Sequence, residues 1–341
     1  MPAAGDSKKY HGEGTTMGLP RRRFLQLAAG VATLSGLPRR AAALDYPTRP
    51  VRLIEGYGSG GTPDTVSRII AQWLSERLGQ PFFVENRNGA SGNIATEAVA
   101  TAAPDGYTLL TCASANPINA ALYDKLNFNF IRDIAPVAGL IRVPLVLLVN
   151  PAFPAKTSSE FIAYARSNPG KINLATPGTG TPMHVAGELL KMMTGVDITE
   201  VPYHGPAPAF TDLLAGQVQA FIITVPAAIG FIRTDKLHAL AVLSAKRLEV
   251  LPDTPTMGEF VPGYEAAAWD GIGAPAKTPA EIIDTLNATI NAGLADPQLK
   301  GRLDSLGADP MPMAPAEFGK FIADETDKWA RVVKFSGARA D

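Results

Sequence analysis

The chain has 341 residues, 46% of them hydrophobic and 18% charged, with 31 basic against 32 acidic residues and one cysteine. That much apolar material is enough for two packed α/β domains. A balanced charge without a long basic run leaves no electrostatic footprint for nucleic acid or anionic lipid, and a lone cysteine cannot close an internal disulfide.

The first element in chain order is a leader. Pro20-Arg21-Arg22-Arg23-Phe24-Leu25-Gln26 is close to a twin-arginine export signal, with Pro20 where Ser or Thr is usual. A short apolar run over 24–37 follows, then Ala41-x-Ala43, which fits a signal-peptidase site. The run is too short to span a bilayer. Residues 1–43 therefore read as a signal peptide cleaved near Ala43, releasing the chain from about Leu44 to the periplasm. No cysteine beside the cleavage site offers a lipid anchor, and no later segment is long and apolar enough for a membrane helix. Removing the leader takes away seven basic and two acidic residues, leaving 24 against 30 and a net charge of −6. Anion binding by such a chain has to be local, through helix N-termini and backbone N–H groups.

The next element, Leu53 onward, reads LIEGYGSGGTPDTVSRIIAQWLSE: a buried strand, a glycine-rich turn and an amphipathic helix. Asp64 is the expected N-cap, and Val66, Ile69, Ile70, Trp73, Leu74 and Leu78 recur at helical spacing until Gly79. Gly56-x-Gly58-x-x-Gly61 also satisfies the dinucleotide fingerprint, with Glu85 ending the next strand where a ribose-binding acid would belong. Pro63 opposes that reading. It places the expected helix start at Asp64 and leaves a wide loop suited to a small anion.

Strands are expected at 51–55, 82–85, 107–112, 144–149, 172–175, 198–201, 219–223 and 238–243. Helices are expected at 64–78, 91–101, 157–167, 183–193, 206–215, 279–293, 296–306 and 315–334. The alternation predicts an α/β fold of parallel sheets with helices on both faces, and the length predicts two lobes. Cys112, in the apolar strand Tyr107-Thr108-Leu109-Leu110-Thr111-Cys112, reads as a buried small hydrophobe.

Six blocks carry a resemblance that covers nearly all of the chain after residue 44. YPTRPVRLIEGYGSGGTPDTVSRIIAQWLSERLGQPFFVENRNGASGNIATEAVATAAPDGYTLL resembles the start of a Bug-family protein, the extracytoplasmic solute receptors of tripartite tricarboxylate transporters. NPGKINLATPGTGTPMHVAGELL, VPYHGPAPAFTDLLAGQVQ, LHALAVLSAKRLEVLPDTPTMGE, VPGYEAAAWDGIGAPAKTP and LNATINAGLADPQLKGRLDSLGADP follow in the family's order. The resemblance implies a two-lobed periplasmic-binding-protein-like fold, with a ligand cleft between two α/β domains. The chain would cross between lobes near 142–144 and again near 265–270. Residues 44–143 plus 269–341 would form lobe 1 and 144–268 an inserted lobe 2. The helices after 279 would close onto lobe 1.

In open α/β sheets ligands sit beyond the carboxyl ends of strands. That rule selects Gly60, Gly61 and Thr62 after the first strand and Ser114 and Asn116 after Cys112. In the second lobe it selects Thr176, Gly178, Thr179, Gly180 and Thr181, then Tyr203 and Gly205, then Thr224. His184 matches the family's position in GTGTPMH and is expected at the rim. These loops hold glycine, hydroxyl and amide groups and almost no charge, a set that grips a carboxylate by many neutral donors. Each has a plainer reading: the glycines as turns, Thr181 as a helix cap, Tyr203 as packing. His204 and His238 have no acid or cysteine at metal-ligand spacing, so no metal is expected. Gly56, Thr224 and Asp270 depart from the family, whose members commonly carry proline, aspartate and an aromatic residue there.

Catalytic motifs are missing: the segments around Ser59 and Ser91 each miss a nucleophile elbow by one glycine, and there is no C-x-x-C, H-E-x-x-H or Walker lysine. The expectation is a monomeric, cofactor-free receptor, not an enzyme, that takes a small organic acid or amino acid to the membrane permease of a tripartite transporter. The rivals are an exported NAD(P)-dependent oxidoreductase and a receptor that presents ligand to a sensor. Replacing Arg21 and Arg22 with lysine should hold the precursor in the cytoplasm, as read by cell fractionation. Processed protein still reaching the periplasm would exclude the twin-arginine route.

Overall fold

In a computed structural model the residues described are 11–12 and 45–340, so nearly all of the expected leader lies outside them. Tyr46–Asp341 is one compact unit. Its sheet begins with β1 (Val51–Glu55), β2 (Phe82–Asn86) and β3 (Thr108–Ala113), which pair in parallel with β1 in the middle. Helices α1 (Thr62–Leu78) and α2 (Asn93–Ala100) connect them, and α3 (Ala115–Leu122) and the short α4 (Phe130–Asp133) follow β3.

The chain then runs through β4 (Ile134–Val149), sixteen residues long. Next come α5 (Ser158–Ser167), β5 (Asn173–Thr176), α6 (Pro182–Thr194), β6 (Thr199–Pro202), α7 (Pro206–Leu214), β7 (Ala220–Thr224), α8 (Val225–Arg233) and β8 (His238–Val242). It returns along β9 (Ala267–Pro275) and ends with α9 (Ala280–Ala295), α10 (Pro297–Ser305), β10 (Asp309–Pro310) and α11 (Pro315–Ser336).

The strand order is β2-β1-β3-β9-β4-β7-β5-β6, with β8 and β10 also pairing with β4. β5 pairs in parallel with both β6 and β7. The expected all-parallel arrangement does not hold at the centre. β9 runs antiparallel to β3 and β4, and β7 and β8 run antiparallel to β4. Residues 134–144 of β4 pair with β9, whereas 145–149 pair with β7 and β8. One strand thus belongs to two half-sheets.

The apolar face of each half-sheet is covered by helices. Leu53, Leu109, Ile141 and Ile272 pack with Ile70 and Leu74 of α1 and Leu286 and Ile290 of α9. In the second half Leu145, Leu147, Leu174 and Ile222 pack with Phe161 of α5 and Val185 and Leu189 of α6. Gly271 lets the sheet approach α11: a Cβ there would run into the Phe318 ring and the Ala138 carbonyl.

Helix α11 does more than close onto the first half. Phe318 and Ile322 pack with Cys112 and Trp269. Two turns later Trp329, Val332 and Val333 join the cluster around Leu145 and Val185. Glu325, buried between these two groups, accepts from Trp269 Nε1 at 3.2 Å and Trp329 Nε1 at 2.9 Å through the same oxygen, while its other oxygen meets Lys328. Glu325→Ala would leave two buried indole N–H groups without acceptors, a cost of about 2–5 kcal/mol. Urea unfolding should show that loss and a substantial recovery in Glu325→Gln. An alanine variant as stable as the parent would remove this clasp from the account of stability.

Candidate functional site

The glycine-rich turn after β1 is built around two acids. Glu55, fully buried at the end of β1, accepts from the Tyr57 N–H through both oxygens at 3.0 Å and from Asn86 Nδ2 at 2.9 Å. Burial raises its pKa, against the lowering effect of those bonds. Asn86 Nδ2 also reaches Asp64 at 2.9 Å. Asp64 is not the N-cap: α1 starts at Thr62 with Gly61 as its cap, and Pro63 sits within the first turn, where a missing N–H costs nothing. The Asp64 carboxylate instead turns back to accept from the Gly60 N–H at 2.9 Å and from Arg68 at 2.8 and 3.0 Å. Hydrogen bonding to Arg68 holds it down at about 2.

This arrangement corrects the argument drawn from Pro63. The helix is already capped at the third glycine, so the loop is not widened. The structure opposes the dinucleotide reading on other grounds: the Gly60 N–H is taken by Asp64, and Glu85 is paired with Arg87 and Arg52. Gly60, Gly61 and Thr62 are exposed at the sheet's end.

After β3, Ser114 and Asn116 are buried but differ in use. Asn116 Oδ1 accepts from the Ala113 N–H at 2.7 Å and its Nδ2 donates to Thr96 at 2.9 Å, so both ends of the amide serve the fold. Ser114 precedes α3, its N–H donates to the Trp269 carbonyl at 3.0 Å, and its hydroxyl has no partner among the described residues. It is the freer donor.

In the second half the three expected loops do follow neighbouring parallel strands. Thr176, at the end of β5, has a buried hydroxyl without a partner. Thr181 caps α6: its hydroxyl donates to the Gly178 carbonyl at 2.7 Å and accepts from the His184 N–H at 3.3 Å. Gly178 and Gly180 both have positive φ, +146° and +76°. Thr179 is exposed. A Cβ on Gly180 would meet Leu122 Cδ2 of α3 at 2.5 Å, so this loop abuts the helix that follows Ser114. Tyr203 donates its hydroxyl to Asp212 at 2.7 Å and packs with the α7 side of the sheet; burial, then that bond, push it up to about 12. Gly205 caps α7, and Thr224 precedes α8 with no capping bond from its side chain.

His184 is not at a rim. It is buried, its Nδ1 accepts from the Gly180 N–H at 3.3 Å, and its Nε2 lies 3.7 Å from Glu200. With Glu188 these side chains form a cluster whose ligand atoms lie within 4.8 Å of one another. An Nδ1 that accepts leaves the ring proton on Nε2, which then has no lone pair for a cation. Burial, then the charge of Glu188, push Glu200 up to about 9, so the cluster holds a proton at neutral pH. The spacing His184-x-x-x-Glu188 is visible in the sequence, but nothing there joins it to Glu200.

The sequence also understated Asp270. It is 5% exposed on β9, opposite Ala113, and burial followed by the charge of Glu55 pushes it up to about 8. A depression of about 530 Å³ lined by Arg49, Arg52 and Phe83 lies elsewhere, and its arginines are already paired with Asp105 and Glu85.

Residues 66–337 match the family described as tripartite tricarboxylate transporter family receptor. BugT of Bordetella pertussis is 37% identical over 320 residues, 93% of this chain and 98% of that protein. A Rhodopseudomonas palustris protein solved with adipate superposes with a TM-score of 0.73 at 38% identity, over 86% of this chain and 99% of its own. MatC from the same organism, solved with malate, gives 0.70 at 36% identity over 84% and 100%.

Thr181 spends its hydroxyl on its own helix. Thr181→Ala should therefore cost about 1 kcal/mol of stability, the usual loss of an N-cap, seen as a lower Tm. Ligand affinity should fall less than threefold. A large affinity loss at unchanged Tm would instead make Thr181 a ligand contact.

Proposed function

The chain belongs to the tripartite tricarboxylate transporter receptor family, with the two-lobed α/β fold of periplasmic binding proteins, and from that premise we propose that it binds a small carboxylate-containing ligand between its lobes. It carries the ligand to the membrane permease of a tripartite transporter, acting as a monomer after export and cleavage near Ala43. Lobe 1 would comprise 44–143 and 269–341, and lobe 2 residues 144–268.

The observation that carries this reading is the free Ser114 hydroxyl at the start of α3, a helix whose Leu122 abuts the Gly180 loop after β5, with further neutral donors at the ends of β6 and β7. Whole-chain likeness to two proteins solved with dicarboxylates supports it. Gly60, Gly61 and Thr62 would close the site from lobe 1, and Thr176, Gly178, Thr179, Tyr203, Gly205 and Thr224 from lobe 2. Asn116, Gly180, Thr181 and His184 hold these loops in place. Closure would be a hinge motion at the two strands that pass between lobes, with ligand touching both lobes only when closed. No step in this scheme needs a covalent change in the ligand.

Thermal-shift screening of the purified chain against dicarboxylates, tricarboxylates, amino acids and aromatic acids tests the reading, with NAD and NADP as controls. At least one acid should raise Tm and neither nucleotide should. Ser114→Ala should weaken that acid about tenfold, as expected for one charge-assisted hydrogen bond of 1–3 kcal/mol, with the ligand-free Tm unchanged. A nucleotide shift without any acid shift would replace this reading with an oxidoreductase.

A further inference from the structure

Asp270 has no hydrogen-bond donor among the described residues, although it is 5% exposed. A carboxylate so placed is costly unless something meets it. Its position is fixed by the sheet: it pairs with Ala113 of β3 and Ile141 of β4, and the residue before it, Trp269, accepts from the Ser114 N–H. Asp270 therefore stands beside the start of α3, at the carboxyl end of β3, where the proposed ligand would lie.

The groups around it are acids and neutral side chains. Glu55 comes from β1, Tyr57 from the turn that follows, and Cys112 from β3, and burial followed by the charge of Asp270 raises both the Tyr57 hydroxyl and the Cys112 thiol. Glu55 is met by two N–H groups, the Tyr57 amide across both oxygens and Asn86 Nδ2, whereas Asp270 is met by neither. The nearest cation of the turn, Arg68, is spent on Asp64 and Asn86. Two buried acids thus share one corner, and among the described residues no cation is paired with Asp270. Neutral donors, Ser114 among them, stand next to that corner.

We propose that Asp270 determines ligand class: the ligand is a carboxylate that also carries an ammonium group, and the ammonium pairs with Asp270 while the carboxylate takes the neutral donors. The inference rests on the acid-receptor reading above and narrows it. Deprotonation of Asp270 is part of binding, because an ammonium stabilises the ionised form. Since the empty site holds that proton to about 8, affinity for an amino acid rises as pH goes from 6 to 8.

Calorimetry on the full chain with matched pairs tests this: succinate against aspartate, glutarate against glutamate, adipate against 2-aminoadipate. In the best-bound pair the amino acid should bind at least thirtyfold tighter than its parent acid at pH 7.5. Asp270→Asn should erase that preference and flatten the pH dependence while still melting cooperatively. Parent acids binding as tightly as their amino counterparts would overturn the role of Asp270 and leave the acid receptor standing. Asp270→Asn retaining the preference would also overturn it. Failure of every acid, with or without an ammonium, would overturn both readings.

Discussion

Sixteen residues of extended chain, Ile134–Val149, hydrogen-bond first to β9 and then to β7 and β8, so the backbone ladder is continuous from one half-sheet to the other. The change of partner falls at Pro144, which pairs with Ala267 and can donate no N–H. β9 returns beside β4 along nine residues, antiparallel, before the chain re-enters the first half. Of these two adjacent strands β4 carries its ladder on into the second half-sheet, while β9 pairs, among the described residues, only with β3 and the first-half part of β4. Register irregularities at Pro136/Ala138 and Gly139/Ile141 relieve the ladder on the first-half side of that passage. Helix α11 adds a third tie, since its two halves belong to different cores.

The acids show how strongly location decides behaviour. Asp64 and Asp270 have the same carboxyl group and lie near the same end of the first half-sheet. Asp64 meets a guanidinium and a backbone N–H and stays ionised far into acid; Asp270 meets neither and keeps its proton to about 8. Glu200 repeats the second case beneath α6, where Gly187 leaves room for its carboxyl group. Glu325 represents a third solution, in which a buried carboxylate is satisfied by two indole N–H groups and a lysine.

Much of this was legible in the sequence. The short strands and amphipathic helices follow from periodicity and lie within one or two residues of their expected bounds, as at 158–167 and 280–295. The first ten residues of β4 were not legible, because Pro136, Gly139 and Pro144 punctuate a run that reads as loop by local rules. β9 was missed for a similar reason. Its Gly271 and Gly273 answer to close packing against Phe318, Ile134 and Cys112, a demand from distant parts of the chain. Helices α3 and α8 carry proline in their first turn and run only eight and nine residues, too short for periodicity to declare them. In the site, loop membership could be read from strand ends. Which hydroxyls remain free could not, since that depends on bonds such as Tyr203 to Asp212 and Thr181 to Gly178.

The bond from Asp64 to the Gly60 N–H has a consequence for rates. A helix N-terminus ordinarily projects positive potential outward, but here the protein's own carboxylate sits in that field, and Arg68 is bound to it. The loops around the site carry almost no fixed positive charge, and the chain beyond the leader is acidic overall. An approaching anion therefore feels no long-range pull. It is captured by contacts a few ångströms long, well inside the screening distance of ordinary salt, about 8–10 Å. Capture built this way proceeds without attractive steering, and added salt, by screening the net negative charge, should speed the encounter of an anion and not slow it.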